Sequence, residues 1–169
     1  MQDFKRRAGR MTGASAAALL SASLLAAAAL ALTPTQTRES YVAQAEPLCK
    51  KNTRAIESIL KGVERKIRND KLKAAAGQFS RAAAAYERTV TNLRGLQQPG
   101  EDSAKLTKWL KKLDTGAGLL RKISKALREG KKQRVVAIQS QLVNNANVAN
   151  STVLGFGFKH CLVNSSKFT

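Results

Sequence analysis

Residues 106–127 read LTKWLKKLDTGAGLLRKISKAL, and they contain the clearest helical pattern of the sequence. Its apolar side chains recur at steps of three and four residues, which is the spacing of one face of an α-helix. At about 100° per residue they fall within a sector of roughly 140°, and lysines occupy the other side. We therefore predict an amphipathic helix that has its N-cap at Asp102 or Ser103 and is closed by Gly130. The stripe consists of Leu106, Trp109, Leu110, Leu113, Ala117, Leu120, Ile123 and Leu127.

The same spacing continues on both sides of this helix. Apolar positions over residues 41–67 predict a first helical segment, in which Pro47 ends a short lead-in helix or lies in a first turn. Residues 72–96 and 135–156 supply two further patterns of the same kind. Four amphipathic segments with short connections predict an all-α fold, an antiparallel up-down four-helix bundle.

The start of the chain has a different composition. Residues 2–10 read QDFKRRAGR, and residues 11–32 read MTGASAAALLSASLLAAAALAL without a single charge. A basic stretch, an apolar stretch and a small-residue site ending at Ala31 follow in the order of a secretory signal peptide, which predicts cleavage after Ala31. The apolar run is also long enough to span a bilayer, so that an uncleaved N-terminal anchor remains the alternative.

Both alternatives give the same orientation, since basic residues before an apolar segment stay on the cytoplasmic side of a membrane. The rest of the chain is then secreted, or held at the outer surface of the cytoplasmic membrane. We accordingly expect residues 1–32 to be a signal peptide or an anchor helix, and residues 33–169 to form an extracytoplasmic helical bundle.

The two cysteines fit this topology. Cys49 lies near the start of the first long predicted helix and Cys161 just beyond the fourth, and an even number of antiparallel helices brings such positions together. Outside the reducing cytoplasm the pair can oxidise, and closing a loop of about 112 residues would stabilise the fold by roughly 4 to 5 kcal/mol. A redox-active pair would favour a C-x-x-C spacing, and a metal site at His160 would need a further ligand. We predict a Cys49–Cys161 disulfide.

Two short motifs carry a resemblance. The stretch YVAQAEPLCKKN at residues 41–52, together with GFGFKHC at residues 155–161, resembles small exported bacterial proteins. Those proteins pair a Y-[VI]-x-x-A-[DE]-x-[LI]-C-x-x-N opening with a closing G-[FL]-x-x-C. The resemblance implies a signal or anchor, a helical bundle and one terminal disulfide, and it implies no activity. The middle helices of this chain are more basic than is usual for that group.

Residues that could carry catalysis are few. The chain has one histidine and two cysteines, too few ligands for a zinc finger or a multi-histidine centre. His160 would have to serve any Ser-His-Asp or Cys-His arrangement, but it adjoins Cys161 of the predicted disulfide. Glu101 and Asp102, the adjacent acids, are expected to complement a helix dipole. We expect no enzyme activity, no cofactor, no metal and no small-molecule substrate.

Two sets of side chains each have two interpretations. Aromatic residues at helical spacing either pack in the core of the bundle or line a ligand pocket, and we expect the core. A run of asparagines either forms a solvated helix face or binds a sugar or peptide, and we expect the solvated face. The aromatic residues are Phe79, Tyr86 and Trp109, and the asparagines are Asn144, Asn145, Asn147 and Asn150.

Positive charge is the main functional clue. The 169 residues contain 30 Lys and Arg against 11 Asp and Glu, a net charge of +19. Residues 105–134 hold 11 of the basic residues and two acids. Like charges four residues apart cost helix stability, which suggests selection for positive potential. The predicted polyanion-binding residues are Lys105, Lys108, Lys111, Lys112, Arg121, Lys122, Lys125, Arg128, Lys131, Lys132 and Arg134.

Outside the cytoplasm the abundant anions are membrane headgroups and wall polymers, and each basic residue gains about 1 kcal/mol near an anionic surface. The sequence therefore predicts a non-enzymatic extracytoplasmic bundle that binds an anionic membrane or cell-wall polymer. The alternatives are a merely solvated basic face, an accessory subunit with an envelope protein partner, and a non-specific nucleic-acid-binding protein. Nucleic acid is disfavoured, because no helix-turn-helix, finger or stacking platform accompanies the charge.

Overall fold

The computed structural model describes residues 36–164, and the regular elements in this range are all helical, as predicted. Within the same range no helix combines the length and the apolar character that crossing a membrane requires. The predicted leader, residues 1–32, lies outside the described residues. The helices are α1 (Arg38–Leu60), α2 (Val63–Arg68), α3 (Leu72–Arg94), α4 (Ser103–Arg128) and α5 (Lys132–Thr152), with a 3₁₀ turn at Gly100–Asp102.

The first predicted segment is in fact two helices. α1 ends at Leu60 and α2 begins at Val63, because Gly62 between them has a φ of 71°. Side chains with a Cβ avoid this left-handed conformation, and glycine adopts it at little cost. The prediction of one helix over residues 41–67 missed this break, since Leu60, Val63 and Ile67 pack against one apolar cluster on both sides of it.

Pro47 lies in the middle of α1, so the prediction that it ends a lead-in helix or lies in a first turn is wrong. The helix begins earlier, where the Thr37 hydroxyl accepts a hydrogen bond from the Ser40 backbone N–H at 3.2 Å. Proline removes one backbone hydrogen bond from a helix interior. The helix continues through it because Tyr41 and Cys49, buried on either side, hold α1 against the core.

The helices pack in a row that leaves one side open. α1 packs against α3, α3 against α4, and α4 against α5, while the short α2 also packs against α3. α1 and α5 make no comparable contact with each other in the described part of the chain. Four long helices therefore pack together, and a seam remains between α1 and α5 over a floor made by α3 and α4.

The predicted stripe of α4 is the centre of the core. All eight of its side chains are buried, with Trp109 and Ile123 fully enclosed. They contribute to two neighbouring apolar clusters, one around Trp109 and the other around Ile123. The amphipathic helix predicted from residues 106–127 is confirmed. As predicted, Gly130 follows its end, with a φ of 70°.

The chain beyond α5 completes the first cluster. α5 ends at Thr152, earlier than the predicted pattern over residues 135–156, although Val153 and Phe156 remain buried. Phe156 stacks on Phe158, whose ring stacks in turn on Trp109 with 5.3 Å between centroids. The apolar pattern of the sequence therefore extends beyond the end of α5, because the segment after this helix also packs against the core.

Candidate functional site

The predicted disulfide is present between Cys49 and Cys161. Cys49 lies midway along α1 and not near the start of a helix, because α1 begins at Arg38. The segment after α5 reaches back to it, and the Glu46 carboxylate accepts hydrogen bonds from the backbone N–H groups of Lys159 at 2.7 Å and His160 at 3.0 Å. These contacts fasten the C-terminal segment onto α1.

Asn150 fastens the same segment to α5. Its side chain donates to the Val163 carbonyl at 2.9 Å and accepts from the Val163 backbone N–H at 2.8 Å. Asn145 donates to the Lys112 carbonyl on α4 at 2.8 Å. The prediction of a solvated asparagine face is therefore wrong for Asn145 and Asn150, whose amides tie elements together. Asn144 and Asn147 are exposed, in agreement with it.

Asp102 does not cap α4 with its side chain, in contrast to the prediction. Its carboxylate is 1% exposed and accepts two hydrogen bonds from Arg38, at 2.7 Å from Nε and 2.8 Å from Nη2. Hydrogen bonding by Arg38 lowers the pKa of Asp102. Glu101 is exposed, beside the start of α4. The sequence pattern predicts that Asp102 caps α4, but Asp102 is instead the ion-pair partner of Arg38 at the start of α1.

Ten of the eleven predicted polyanion-binding side chains are exposed, and Lys112 is half-buried. Arg121 pairs with Glu87, Lys125 and Lys131 with Glu129, and Lys132 with Asp70. We call all eleven residues the basic face. The members that form no ion pair within the described residues are Lys105, Lys108, Lys111, Lys112, Lys122, Arg128 and Arg134.

Lys108, Lys111 and Lys122 lie along the solvent side of α4, opposite its buried stripe. Within residues 36–164 none of the three ammonium groups forms an ion pair that would offset their mutual repulsion, so this side of the helix carries a positive potential. The geometry is that of a surface able to attract an anion through charge, and none of the three lysines lines either of the two cavities described below.

Positive charge also occurs outside the predicted set. Exposed basic residues without an ion pair are found on α1 and on α3 as well. The prediction concentrated on residues 105–134, where the density along the sequence is greatest, and it therefore missed cations spread over other helices. These are Lys50, Lys51 and Arg54 on α1 and Lys73, Arg81 and Arg88 on α3.

Phe79 and Trp109 are core residues, as predicted, whereas Tyr86 has a second environment. The Tyr86 ring lies beside Gly116, where an added Cβ would be 3.7 Å from its Cε1 atom. Tyr86 also lines a cavity of about 340 Å³. Tyr86 is half-buried, and desolvation by burial raises the pKa of its hydroxyl.

This cavity lies between α1, α3 and the segment held by the disulfide. Cys49 and Cys161 form part of its wall, and Leu113 is the α4 residue that lines it. A second cavity of about 360 Å³ lies in the seam, lined by residues that include Arg65 of α2 and Leu142 of α5. The sequence gives a weak signal for either, since the first depends on how α1, α3 and the segment after α5 meet and the second on the separation of α2 from α5.

Among residues 36–164 no group of three or more His, Cys, Asp and Glu side chains is placed to hold a metal ion. Comparison with protein-family models, with curated proteins and with solved structures gives no match to this chain. The similarity of residues 41–52 and 155–161 to small exported bacterial proteins stays a prediction. Function has to be inferred from charge and geometry.

Proposed function

We propose that the protein is a non-enzymatic envelope protein whose basic face binds anionic membrane headgroups or wall polymers. The observation that carries the proposal is the set of seven basic-face cations that form no ion pair in the described residues. Unpaired like charges along one helix repel each other and destabilise it. Close to an anionic surface the same charges are attracted to the surface, which stabilises the bound protein.

The proposal includes the antiparallel up-down order of the bundle. Its support comes from contacts between α3 and α4, where Arg94 pairs with Asp114 at 2.6 Å and Glu87 pairs with Arg121. From the first pair to the second, the residue number on α3 falls from 94 to 87, while the residue number on α4 rises from 114 to 121. This is expected for two helices that run in opposite directions. Lys132 at the start of α5 pairs with Asp70 just before α3, which suits the same order.

The proposal also places the bundle outside the cytoplasm, with residues 1–32 as a cleaved signal peptide or a retained anchor. The disulfide is compatible with an oxidising compartment, where such bonds persist. In that compartment anionic lipids and polymers are accessible to the basic face, while chromosomal DNA is not.

Sedimentation with lipid vesicles tests the proposal. We expect the protein to bind phosphatidylglycerol-containing vesicles, to bind phosphatidylcholine vesicles much more weakly, and to dissociate as salt is raised. Replacing Lys108, Lys111 and Lys122 together by Gln should weaken binding on the order of 100-fold, since each contributes about 1 kcal/mol near the surface.

The matched control replaces Lys73, Arg81 and Arg88 of α3 by Gln, which removes the same charge from exposed positions outside the basic face. It should weaken binding far less. Equal loss in both variants would show that only net charge matters, and equal binding to neutral vesicles would reject the proposal. Tighter binding to duplex DNA of arbitrary sequence than to anionic vesicles would favour a nucleic-acid-binding protein instead.

A further inference from the structure

The 360 Å³ cavity in the seam lies between α2 and α5. Leu60, Val63 and Ile67 line it and are only half-buried, so part of their apolar surface remains accessible. Ligand pockets in proteins begin at about 300 Å³ and combine apolar walls with a few polar groups. The cavity is therefore large enough for a small ligand with one short chain or ring.

A guanidinium without an anionic partner lies at the wall of this cavity. Arg65 is exposed and lines the cavity, and an added Cβ on Gly62, another lining residue, would be 3.5 Å from the Arg65 Nη2 atom. Within residues 36–164 the Arg65 side chain forms no ion pair. A planar guanidinium can donate two parallel hydrogen bonds to one carboxylate. Arg65 is thus an accessible and unused anion-binding group beside apolar surface.

The lining of the cavity carries one positive charge in excess. Its ionic residues are Glu64, Arg65 and Arg68, and the Arg68 Nη1 atom lies 3.7 Å from the Glu64 Oε2 atom. Because Glu64 offsets Arg68, the charge of Arg65 remains to be balanced. A ligand with one negative charge balances it, whereas the second charge of a dianion would be repelled by Glu64. The lining therefore favours a monoanion.

We propose that this cavity binds a monocarboxylate with one apolar chain or ring, the chemistry of a medium-chain fatty acid. The carboxylate accepts hydrogen bonds from the Arg65 guanidinium, and the chain packs against Leu60, Val63 and Ile67. None of the basic-face residues lines the cavity, so the site is separate from the proposed envelope-binding surface. The proposal departs from the expectation that no small molecule is involved.

Calorimetric titration of the full chain with sodium octanoate, 1-octanol and sodium acetate tests the proposal. Octanol has the chain without the charge, and acetate has the charge without the chain. The preference for octanoate over octanol should be about tenfold larger in the native protein than in the Arg65→Gln variant. Comparing the two preferences cancels the different hydration of the probes, which is the same for both proteins. Acetate should bind far more weakly than octanoate.

Arg54→Gln is the matched control for charge. Arg54 is exposed on α1 and lines neither cavity, so the variant loses the same charge as Arg65→Gln and should keep the native preference. Two further variants check the location. Gln139→Phe places a ring in the cavity and should abolish binding of both octyl probes, whereas Gln141→Phe, at an exposed position of α5 outside the cavity, should leave binding unchanged.

Absence of octanoate binding by the native chain would overturn the proposal. So would an equal preference in the native protein and Arg65→Gln, unchanged binding by Gln139→Phe, or binding of acetate as tight as that of octanoate.

Arg65→Gln should leave vesicle binding close to that of the native protein, and the variant with Lys108, Lys111 and Lys122 replaced by Gln should still bind octanoate. Failure of the cavity proposal and failure of the proposed basic-face function are therefore distinguishable.

Discussion

Arg38, the first residue of α1, and Asp102, the last residue before α4, form a two-point ion pair across 64 positions of sequence. The carboxylate is almost completely buried, and the Arg38 guanidinium also lies over the Phe156 ring at 4.9 Å. One side chain therefore joins the start of α1, the turn before α4 and the segment after α5.

This pair predicts a specific dependence of stability on pH. The pKa of Asp102 is lowered in the folded protein, while an unfolded Asp titrates near 3.9. A lowered pKa stabilises the fold above the unfolded value, and that contribution disappears as pH falls below about 4 toward the folded value. We expect the unfolding free energy of Asp102→Asn to be smaller than that of the native protein at pH 7, and to fall less steeply below pH 4.

Urea unfolding between pH 2 and pH 7 measures this difference. Other carboxylates with lowered pKa, such as Glu87 and Glu129, make both curves fall, so the diagnostic quantity is the gap between them. Glu101→Gln, at the exposed neighbouring acid, is the control and should follow the native curve. Parallel curves for Asp102→Asn and the native protein would contradict the prediction.

The disulfide is expected to contribute a large share of the stability. Removing it by Cys49→Ala with Cys161→Ala should lower the unfolding free energy by roughly 4 to 5 kcal/mol, since the bond closes a loop of about 112 residues. Denaturant unfolding with and without reductant checks this. Reductant should destabilise the native protein and leave the double variant unaffected, whereas equal stability of the two proteins would show that the loop closure contributes little.

The Gln78 side chain of α3 donates hydrogen bonds to backbone carbonyls at the C-terminal end of α1. This side chain is 4% exposed, and its Nε2 donates to the carbonyls of Ile59 at 2.6 Å and Lys61 at 3.1 Å. Helix ends leave carbonyls without partners, so Gln78→Leu should lower the unfolding free energy by about 1 to 3 kcal/mol. Gln133→Leu, at an exposed site on α5, should change it by less than about 0.5 kcal/mol. Similar losses in both would point to a general effect of leucine.

The left-handed turn at Gly62 gives a matched pair of glycine substitutions. Gly62→Ala forces a Cβ into a φ of 71° and should cost about 1 to 2 kcal/mol of unfolding free energy. Gly118→Ala, inside α4 with open space around its Cβ, should instead stabilise the protein by up to about 1 kcal/mol. Thermal unfolding should show opposite shifts, and a neutral Gly62→Ala would mean that the turn has another conformation available.

The ionisation of the two tyrosines tests how far their hydroxyl groups are buried in the core. The chain has two tyrosines, and desolvation raises the pKa of both, that of Tyr41 to about 12. Because unfolded tyrosine ionises near pH 10, stability should fall as pH rises from about 10 toward 12. Absorbance at the tyrosinate band should stay low near pH 10 and rise on unfolding. Normal titration of both phenols at pH 10 would contradict this burial.

Periodicity predicted the α4 stripe and Gly130 because both depend on local spacing and backbone conformation. It failed where a distant residue decides the outcome. Asp102 resembles a cap until Arg38 is brought beside it, and α1 passes through Pro47 because buried residues on both sides hold it. The cavity beside Tyr86 could not be predicted from periodicity, since it depends on how α1, α3 and the segment around Cys161 meet.

The Glu46 carboxylate gives the end of the chain a second attachment to α1 beside the covalent one. Glu46 and Cys49 are three residues apart and therefore share a face of α1. Glu46 accepts hydrogen bonds from backbone N–H groups just ahead of Cys161. We therefore expect the reduced protein to keep its two thiols near each other, which raises the effective concentration of one thiol at the other.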